Sequence, residues 1–168
     1  MSGLTIRPAR PEELEAVWAL VGRAVAHMNA QGNPQWGADY PTRALYAGDL
    51  ARGELYAALA GDTLAGVACI NTVQSPEYAP LPWTTPDFAV AIHRMAVDPA
   101  FQRRGVGRAL FAFAHTLAGR LGAGAIRLDT YSLNRPMLAL IASQGFQKVG
   151  EIRLHGRPLP YPCFEKAL

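Results

Sequence analysis

The stretch from Gln102 to Leu110, QRRGVGRAL, restricts the fold more than any other part of this sequence. Residues 88–97 before it alternate between two faces and predict a strand, and residues 105–122 predict a helix. A helix that follows a strand in this way crosses over to a second, parallel strand, which the run AIRLDTY at 125–131 supplies. Two parallel strands joined by a helix place the chain among the α/β folds.

The elements on either side complete a mixed sheet. Further strands are predicted at 4–7, in a hairpin over 54–73, and at 146–154 and 160–168. Further helices are predicted at 11–28, 43–53 and 134–145. The order is β-α-α-β-β-β-α-β-α-β-β, with no internal repeat and no linker. We therefore expect a single domain over residues 1–168, with helices on both faces of the sheet.

The composition fits a globular protein and excludes several other classes. Half of the 168 residues are hydrophobic and 17% are charged, which is typical of a folded domain. No apolar run approaches the roughly 20 residues that cross a bilayer, and the first residues lack a signal-peptide pattern, so we expect a cytoplasmic protein. Cys69 and Cys163 form no metal-binding spacing. The basic residues form no stripe with interleaved aromatics, which argues against nucleic-acid binding.

The glycine-rich stretch has the chemistry of a phosphate site. A helix N-terminus offers backbone N–H groups and the positive end of the helix dipole, and glycines let a phosphate approach them. Three arginines add positive charge and directed donors: Arg103, Arg104 and Arg108. The P-loop pattern is absent, and the dinucleotide fingerprint fails because Leu110 occupies its last glycine position. The stretch therefore predicts a phosphate-containing ligand of another kind.

Two motifs resemble those of the GCN5-related N-acetyltransferases (GNAT). The first is MAVDPAFQRRGVGRALF, in which a strand ending in V-x-P leads into the glycine loop and a helix. The second is an Asn that opens a helix ending in Gly-Phe, here Asn134 and Gly145-Phe146. Together with the order of the elements, the resemblance covers essentially the whole chain. It implies a mixed, mostly antiparallel sheet whose central strands splay apart.

The resemblance implies acetyl-CoA as the co-substrate, without a metal. The pyrophosphate would lie on the backbone amides of the loop, supported by the side chain of Gln102. The pantetheine arm would follow the preceding strand at Met95 and Val97 and contact Asn134. The implied loop residues are Arg103, Arg104, Gly105, Val106, Gly107 and Arg108.

The family reaction is direct transfer of the acetyl group to an amine, which must first lose a proton. We expect His93 to be the base, because its ordinary pKa of about 6.5 suits that task. The family's usual tyrosine acid is replaced here by Ile141, so Tyr131 is the substitute candidate. The alternatives are a buried His93 bonded to its neighbours and a Tyr131 that only walls the CoA arm.

Arg94 has two interpretations from the sequence. It lies on the opposite face of the predicted strand from His93, and Asp129 lies on the adjacent strand. A buried Arg94–Asp129 ion pair is the structural interpretation. The functional alternative is that Arg94 binds a carboxylate of the substrate.

Two aromatic loops, at 27–42 and 77–88, are expected to form the acceptor site. The candidate residues are Asn33, Trp36, Tyr40, Tyr78 and Trp83. Aromatic rings can enclose an amine by apolar and cation–π contact, although Trp36 and Trp83 could equally cap the core. The acids in these loops are few, Asp39, Glu77 and Asp87, which argues against a polycationic acceptor.

The sequence therefore predicts an acetyl-CoA-dependent N-acetyltransferase for a small amine, an amino acid or a peptide. Two alternatives stay open: a transferase for another acyl-CoA or an O-acceptor, and a non-catalytic acyl-CoA sensor. We expect a monomer or a homodimer.

Overall fold

The computed structural model describes residues 3–85 and 88–168, so Asp87 lies outside the described residues. Within them the helices are α1 (Leu14–Ala30), α2 (Arg43–Ala51), α3 (Val106–Leu121) and α4 (Arg135–Ser143). The strands are β1 (Leu4–Pro8), β2 (Leu55–Ala60), β3 (Thr63–Asn71), β4 (Ala89–Val97), β5 (Ala125–Asp129), β6 (Gln147–Ile152) and β7 (Tyr161–Ala167). Every predicted helix and strand is present, in the predicted order. None of the helices in this described part is long and apolar enough to span a membrane.

The strands form a seven-stranded sheet with the order β1-β2-β3-β4-β5-β7-β6. The pairs β1–β2, β2–β3, β5–β7 and β6–β7 are antiparallel. The pair β4–β5 is parallel and joins residues 89–91 to residues 125–127. This is the parallel pair that the crossover through α3 requires. The predicted mixed, mostly antiparallel sheet is therefore confirmed.

The chain divides into two compact units, of which the first comprises Met1–Ile70 and His93–Phe113. Its core begins on α1, where residues three and four positions apart turn one apolar face inward and are fully buried: Val17, Leu20 and Val21. The loop before α2, then α2, β2, β3 and β4, add the remaining members of this cluster: Trp36, Tyr46, Leu50, Leu55, Val67, Cys69 and Ala96. Burial of α2 against α1 fixes a helix on which the candidate site depends.

The second unit comprises Asn71–Ile92 and Ala114–Leu168. Its core contains three tyrosines, one Ile and one Cys: Tyr78, Tyr131, Ile152, Tyr161 and Cys163. Asn134 caps α4, because its Oδ1 accepts a hydrogen bond from the Met137 N–H at 3.2 Å. Gly145 follows the helix with φ +82°, which confirms its predicted role as a C-terminal stop.

Gly66 in β3 allows an unusually close approach within the first unit. A Cβ at this position would lie 2.7 Å from Cγ1 of Val106 and 3.0 Å from the carbonyl oxygen of Ala96. Val106 opens α3 and Ala96 belongs to β4, so the two contacts come from the elements on either side of the glycine loop. The absence of a side chain at position 66 lets these elements pack against β3.

We expect Gly66→Ala to lower the free energy of unfolding by about 1–3 kcal/mol, because the new methyl group overpacks this contact. Gly22→Ala is the matched control, since a Cβ at Gly22 in α1 would meet no atom within 4 Å. That change should raise the free energy of unfolding by about 0.5–1 kcal/mol through helix propensity. Urea denaturation of both variants measures the difference. A Gly66→Ala protein as stable as the wild type would contradict the close packing.

Candidate functional site

The glycine loop consists of two consecutive turns. Asp98 holds the first, because its carboxylate accepts a hydrogen bond from the Ala100 N–H at 3.0 Å. The second turn bends the chain at Arg103 and Gly105, whose φ angles are +61° and +80°. The Gly105 carbonyl then accepts a hydrogen bond from the Ala109 N–H at 2.9 Å, so α3 starts directly after the glycine.

The start of α3 has the properties of an anion-binding site. The first N–H groups of a helix have no acceptor within the helix and form the positive end of its dipole. Gly105 faces open space, since a Cβ there would meet no atom within 4 Å. Val106 is buried and Gly107 half-buried, while the long polar side chains of the loop are exposed: Gln102, Arg103, Arg104 and Arg108. These residues fit a ligand that brings a pyrophosphate to the helix N-terminus.

One of the three arginines of this loop has a local partner. The Arg104 guanidinium lies 5.4 Å from the centroid of the Phe101 ring. This cation–π distance orients Arg104 toward the 3-10 turn Pro99–Phe101 that precedes the glycine turn. The three side chains of the basic group are therefore not equivalent.

Strand β4 departs from regular extended geometry at Arg94. The φ angle of Arg94 is +49°, in the left-handed region that a non-glycine residue rarely adopts. We call this departure from extended geometry at Arg94 the bulge of β4, because a left-handed residue bends a strand and breaks the alternation of its faces. The predicted strict alternation over 88–97 is therefore wrong at this point. His93, Arg94, Met95 and Val97 are all half-buried.

Helix α2 holds both the side chain and the backbone of Arg94. The guanidinium donates from Nε to Asp49 Oδ2 at 3.0 Å and from Nη2 to Asp49 Oδ1 at 2.8 Å. The Tyr46 hydroxyl donates to the carbonyl oxygen of Arg94 at 3.2 Å. Arg94 therefore has the buried carboxylate partner that the sequence indicated. The partner is Asp49 and not the predicted Asp129.

The ion pair outweighs the strain of the bulge. A left-handed conformation costs a non-glycine residue about 1–2 kcal/mol. Asp49 is fully buried, and breaking a buried ion pair by removing one partner typically costs about 3–5 kcal/mol. The structure can therefore keep Arg94 in this conformation as long as Asp49 is present.

The surroundings of Asp49 are charged but well paired. Arg52 adds a second guanidinium, with its Nη2 2.9 Å from Asp49 Oδ1. Burial works to lower the pKa of Arg94, but its hydrogen bonds to Asp49 and Tyr40 outweigh burial, and the pKa is raised. Burial, followed by the charge of Asp49, raises the pKa of the Cys69 thiol to about 12. At neutral pH Arg94 is therefore charged and Cys69 is a neutral thiol.

In the second unit, a carboxyl group with a raised pKa lies at the end of β5. Asp129 Oδ2 accepts a hydrogen bond from the Tyr78 hydroxyl at 2.6 Å. Burial raises the pKa of Asp129 to about 6; the bond from Tyr78 opposes this rise, and the charge of Glu77 adds to it. Asp129 is therefore mostly ionised at neutral pH and a stronger base than an ordinary carboxylate.

Tyr131 and Asn134 both have structural contacts in the second unit. Tyr131 is fully buried, and its hydroxyl oxygen accepts a hydrogen bond from the Leu159 N–H at 3.2 Å. Its ring centroid lies 4.9 Å from that of Tyr161. Asn134 is half-buried and caps α4. The predicted roles of Tyr131 as an acid and of Asn134 as a CoA contact stay predictions.

The predicted acceptor residues of the first loop are packed and bonded within the first unit. Asn33 is buried, and its Oδ1 accepts a hydrogen bond from the Gln35 N–H at 3.1 Å. Trp36 belongs to the core cluster, and its carbonyl accepts a hydrogen bond from Asn29 Nδ2 at 3.0 Å. Tyr40 is half-buried and bonded to Arg94.

The predicted acceptor residues of the second loop are held within the second unit. Trp83 Nε1 donates to the Tyr78 carbonyl at 2.8 Å, and the two rings have centroids 5.1 Å apart. The Arg127 guanidinium lies 4.5 Å from the centroid of the Trp83 ring. The Thr84 N–H donates to the buried Glu165 at 2.8 Å. A cation therefore already occupies one face of Trp83.

Three residues that shape these surroundings were not predicted: Tyr46, Asp49 and Glu165. Tyr46 and Asp49 are three positions apart on α2 and therefore share one face, which was a usable signal. An acidic residue on the buried face of an amphipathic helix indicates a partner cation in the core. The same reasoning applies to Glu165, which shares one face of the last strand with Tyr161 and Cys163.

The sequence profile of the Acetyltransferase (GNAT) family matches residues 20–146. An uncharacterized protein of Mycobacterium leprae is 37% identical over 102 residues, which are 61% of this chain and 24% of that protein. The N-alpha-acetyltransferase RimI of Mycobacterium tuberculosis is 36% identical over 100 residues, which are 60% of this chain and 56% of that enzyme. The chain thus spans about a quarter and about half of the two relatives.

Solved structures share the fold over nearly the whole chain. An acetyltransferase of the GNAT family from Streptococcus agalactiae has a TM-score of 0.86 at 24% identity, covering 99% of this chain and 96% of its own. The protein yncA from Salmonella typhimurium, solved with its cofactor acetyl-CoA, has a TM-score of 0.72 at 19% identity. That likeness covers 99% of this chain and 94% of yncA. At these identities the structures support the fold alone.

We expect Tyr78→Phe to raise the pKa of Asp129 above its value of about 6. The substitution removes a hydrogen bond that stabilises the ionised carboxylate in the wild type. Carbon-13 NMR titration of the Asp129 carboxyl measures this pKa. Tyr56→Phe, which removes a hydroxyl elsewhere in the chain, is the control and should leave the pKa unchanged. An Asp129 titration identical in wild type and Tyr78→Phe would contradict the bond.

The same titration has a consequence for stability. The folded pKa of Asp129 lies above its ordinary value of 3.8, so the folded protein binds the proton more tightly than the unfolded chain. The resulting stabilisation is fully present below about pH 4 and is lost as the pH rises through about 6. In Tyr78→Phe the loss should extend to higher pH.

Proposed function

Because the match spans residues 20–146, the chain belongs to the acetyltransferase (GNAT) family, and we propose that it transfers an acetyl group from acetyl-CoA to an amine. Family membership makes it an acyltransferase. The proposal adds that the acceptor is a small molecule, an amino acid or a peptide, and that residues 1–168 act as a single acetyltransferase domain. The open, left-handed Gly105 at the start of α3 is the observation that supports the donor best.

The proposed donor site follows the chain through the glycine loop. The backbone amides of residues 103–108 bind the pyrophosphate, and Gln102 supports the turn. Arg103 and Arg108 supply positive charge from exposed side chains, while Arg104 lies over Phe101. The backbone at Met95 and Val97 binds the pantetheine arm, with Asn134 as a further contact. When bound, acetyl-CoA supplies the thioester whose carbonyl carbon the amine attacks.

The proposed acceptor is an amine of low positive charge. The relative named N-alpha-acetyltransferase RimI supports an amine, and in particular a peptide N-terminus, among the three acceptor types. The second loop keeps its aromatic residues Tyr78 and Trp83 in contact, with the cation of Arg127 on Trp83. A second cation on that ring would be repelled, which disfavours polyamines. The guanidinium of Arg94 already binds the carboxylate of Asp49, so recognition of a substrate carboxylate by Arg94 is not part of the proposal.

The chain's own residues move the protons of the transfer. His93, half-buried on β4, accepts the proton of the attacking amine. Asp129, with its pKa of about 6, is the rival base that the structure adds. Nitrogen–carbon bond formation then expels the thiolate, which Tyr131 protonates or which leaves unprotonated, since a thiolate is a good leaving group near neutral pH. Backbone N–H groups of the bulged strand stabilise the oxyanion that forms when the amine attacks and is lost when the thiolate leaves.

We propose a cytoplasmic enzyme that acts as a monomer or a homodimer on soluble acceptors. Among the described residues, both cysteines, Cys69 and Cys163, are buried and neither is in a disulfide. Reduced thiols of this kind suit a reducing compartment. Nucleic acid and membranes have no place in the proposal.

The function is tested by thiol release from acetyl-CoA in the presence of weakly charged amines, amino acids and short peptides. We expect turnover with at least one acceptor. Gly105→Ala should raise the KM for acetyl-CoA about tenfold or more, because a Cβ strains the left-handed turn and enters the open space of the loop. Gly119→Ala lies within α3, where a Cβ would meet no atom within 4 Å, so it is the control and should leave this KM unchanged.

The alternatives give different results in the same assay. Tight CoA binding without thiol release for any acceptor would show a sensor and overturn the proposed transfer. Turnover with a longer acyl-CoA but not with acetyl-CoA would correct the donor. Thiol release with alcohols but not amines would correct the acceptor.

A pH–rate profile separates the two candidate bases. The acceptor should be an amine whose own pKa lies below the measured range, so that only enzyme groups titrate. We expect an acidic limb in kcat/KM that is lost in His93→Gln together with about 100-fold or more of the rate, while Asp129→Asn keeps the limb. The reverse pattern, with the limb near pH 6 lost in Asp129→Asn, would assign the base to Asp129. An unchanged kcat for His93→Gln across pH 6 to 9 would remove His93 from the mechanism.

A further inference from the structure

Two residues of helix α2 form hydrogen bonds with one residue of β4, Arg94. Asp49 binds the guanidinium of Arg94 through both carboxylate oxygens, at 2.8 and 3.0 Å. Tyr46, one turn earlier on the same helix, donates its hydroxyl to the Arg94 carbonyl at 3.2 Å. Both Tyr46 and Asp49 have no exposed surface. Arg94 is therefore held by two side chains from the interior of the first unit.

The residue held in this way is the one at which β4 departs from extended geometry. Arg94 has φ +49°, whereas a strand residue is ordinarily at about −120° to −140°. Such a departure changes the direction of the chain and of the backbone groups on either side of it. The neighbours of Arg94 are His93 and Met95, to which the proposed function gives the base and a donor-binding backbone position. The orientation of these two residues therefore depends on the conformation at 94.

We propose that Asp49 and Tyr46 are positioning residues for acetyl transfer, acting through Arg94 to hold the backbone between His93 and Met95 in its bulged conformation. This proposal rests on the proposed function. It gives the face of α2 that carries Tyr46 and Asp49 a role in the transfer without any contact to the donor or the acceptor.

The two contacts fix different parts of the same peptide geometry. The carboxylate fork of Asp49 fixes the direction of the side chain of Arg94 from its Cα. The Tyr46 hydroxyl fixes the plane of the peptide unit that joins Arg94 to Met95. Since small misplacements of reacting groups can cost about 100-fold in rate, loss of either contact should affect the transfer step more than donor binding.

Glycine and alanine at position 94 test the proposal directly. Arg94→Ala removes the ion pair and leaves a Cβ that disfavours the left-handed conformation, so we expect kcat to fall about 100-fold. Arg94→Gly removes the same ion pair, but glycine adopts positive φ freely, so it should keep at least ten times the kcat of Arg94→Ala. The Kd for CoA, measured by calorimetry, should change less than threefold in both. A purely structural ion pair would make the two variants equally defective.

One further variant isolates Tyr46, and a matched control removes a neighbouring charge. Tyr46→Phe removes only the hydroxyl and should lower kcat several-fold with an unchanged KM for acetyl-CoA. Arg52→Met is the matched control, because it removes an exposed ion-pair partner of Asp49 without touching Arg94. It should leave kcat unchanged. Equal kcat values for Tyr46→Phe and the wild type would remove Tyr46 from the proposal.

Amide hydrogen exchange in the protein without substrates gives a readout that is independent of turnover. Peptides covering residues 92–97 should exchange about tenfold faster in Arg94→Ala than in the wild type, with Arg94→Gly compared in parallel at the same pH. An unchanged exchange rate of residues 92–97 in Arg94→Ala would overturn the proposal. Equal kcat values for Arg94→Ala and Arg94→Gly, in an assay in which the wild type is active, would also overturn it. A wild-type protein without turnover for any acceptor overturns the proposed function instead, and the exchange result then still reports whether α2 holds the bulge.

Discussion

The hydrogen-bonded ion pair between Arg94 and Asp49 is the interaction on which the shape of β4 depends. A left-handed residue inside a strand relaxes toward extended geometry unless its surroundings hold it. Arg94 meets this requirement with its own side chain, whose fork matches both oxygens of a buried carboxylate. The sequence thus links a helix of the N-terminal half to the strand that leads into the glycine loop. The packing of α2 in the core and the geometry of β4 therefore depend on each other.

The glycine loop could be predicted from the sequence because its determinants are local. Positive φ at Gly105, the start of α3 at Val106 and the side chain of Asp98 on the Ala100 N–H all involve residues a few positions apart. The strands and helices were predictable for the same reason, since apolar periodicity is a local signal. The partner of Arg94 was not. Asp49 and Asp129 are both acidic residues distant in sequence, and only the packing of α2 decides between them.

The aromatic loops show a second limit of sequence reasoning. Composition cannot distinguish an aromatic ring that waits for a substrate from one that completes a core, because both need the same apolar surface. Trp36 belongs to a core cluster, whereas Trp83 is half-buried, bonded to Tyr78 through Nε1 and covered on one face by Arg127. Their different surroundings come from residues far away in the sequence. The two proposed acceptor loops are therefore better described by the contacts that hold them than by the rings they contain.

The hydrogen bond between Tyr78 and Asp129 makes the pKa of this carboxyl depend on the position of the second loop. Burial makes Asp129 a stronger base, and the hydroxyl of Tyr78 opposes that effect by stabilising the ionised carboxylate. Tyr78 lies in the 3-10 turn Pro76–Tyr78, the beginning of the proposed acceptor loop. An acceptor that drew Tyr78 away from Asp129 would raise the pKa of this carboxyl and make it a better proton acceptor. The basicity of Asp129 is therefore set by the position of a loop and not by β5 alone.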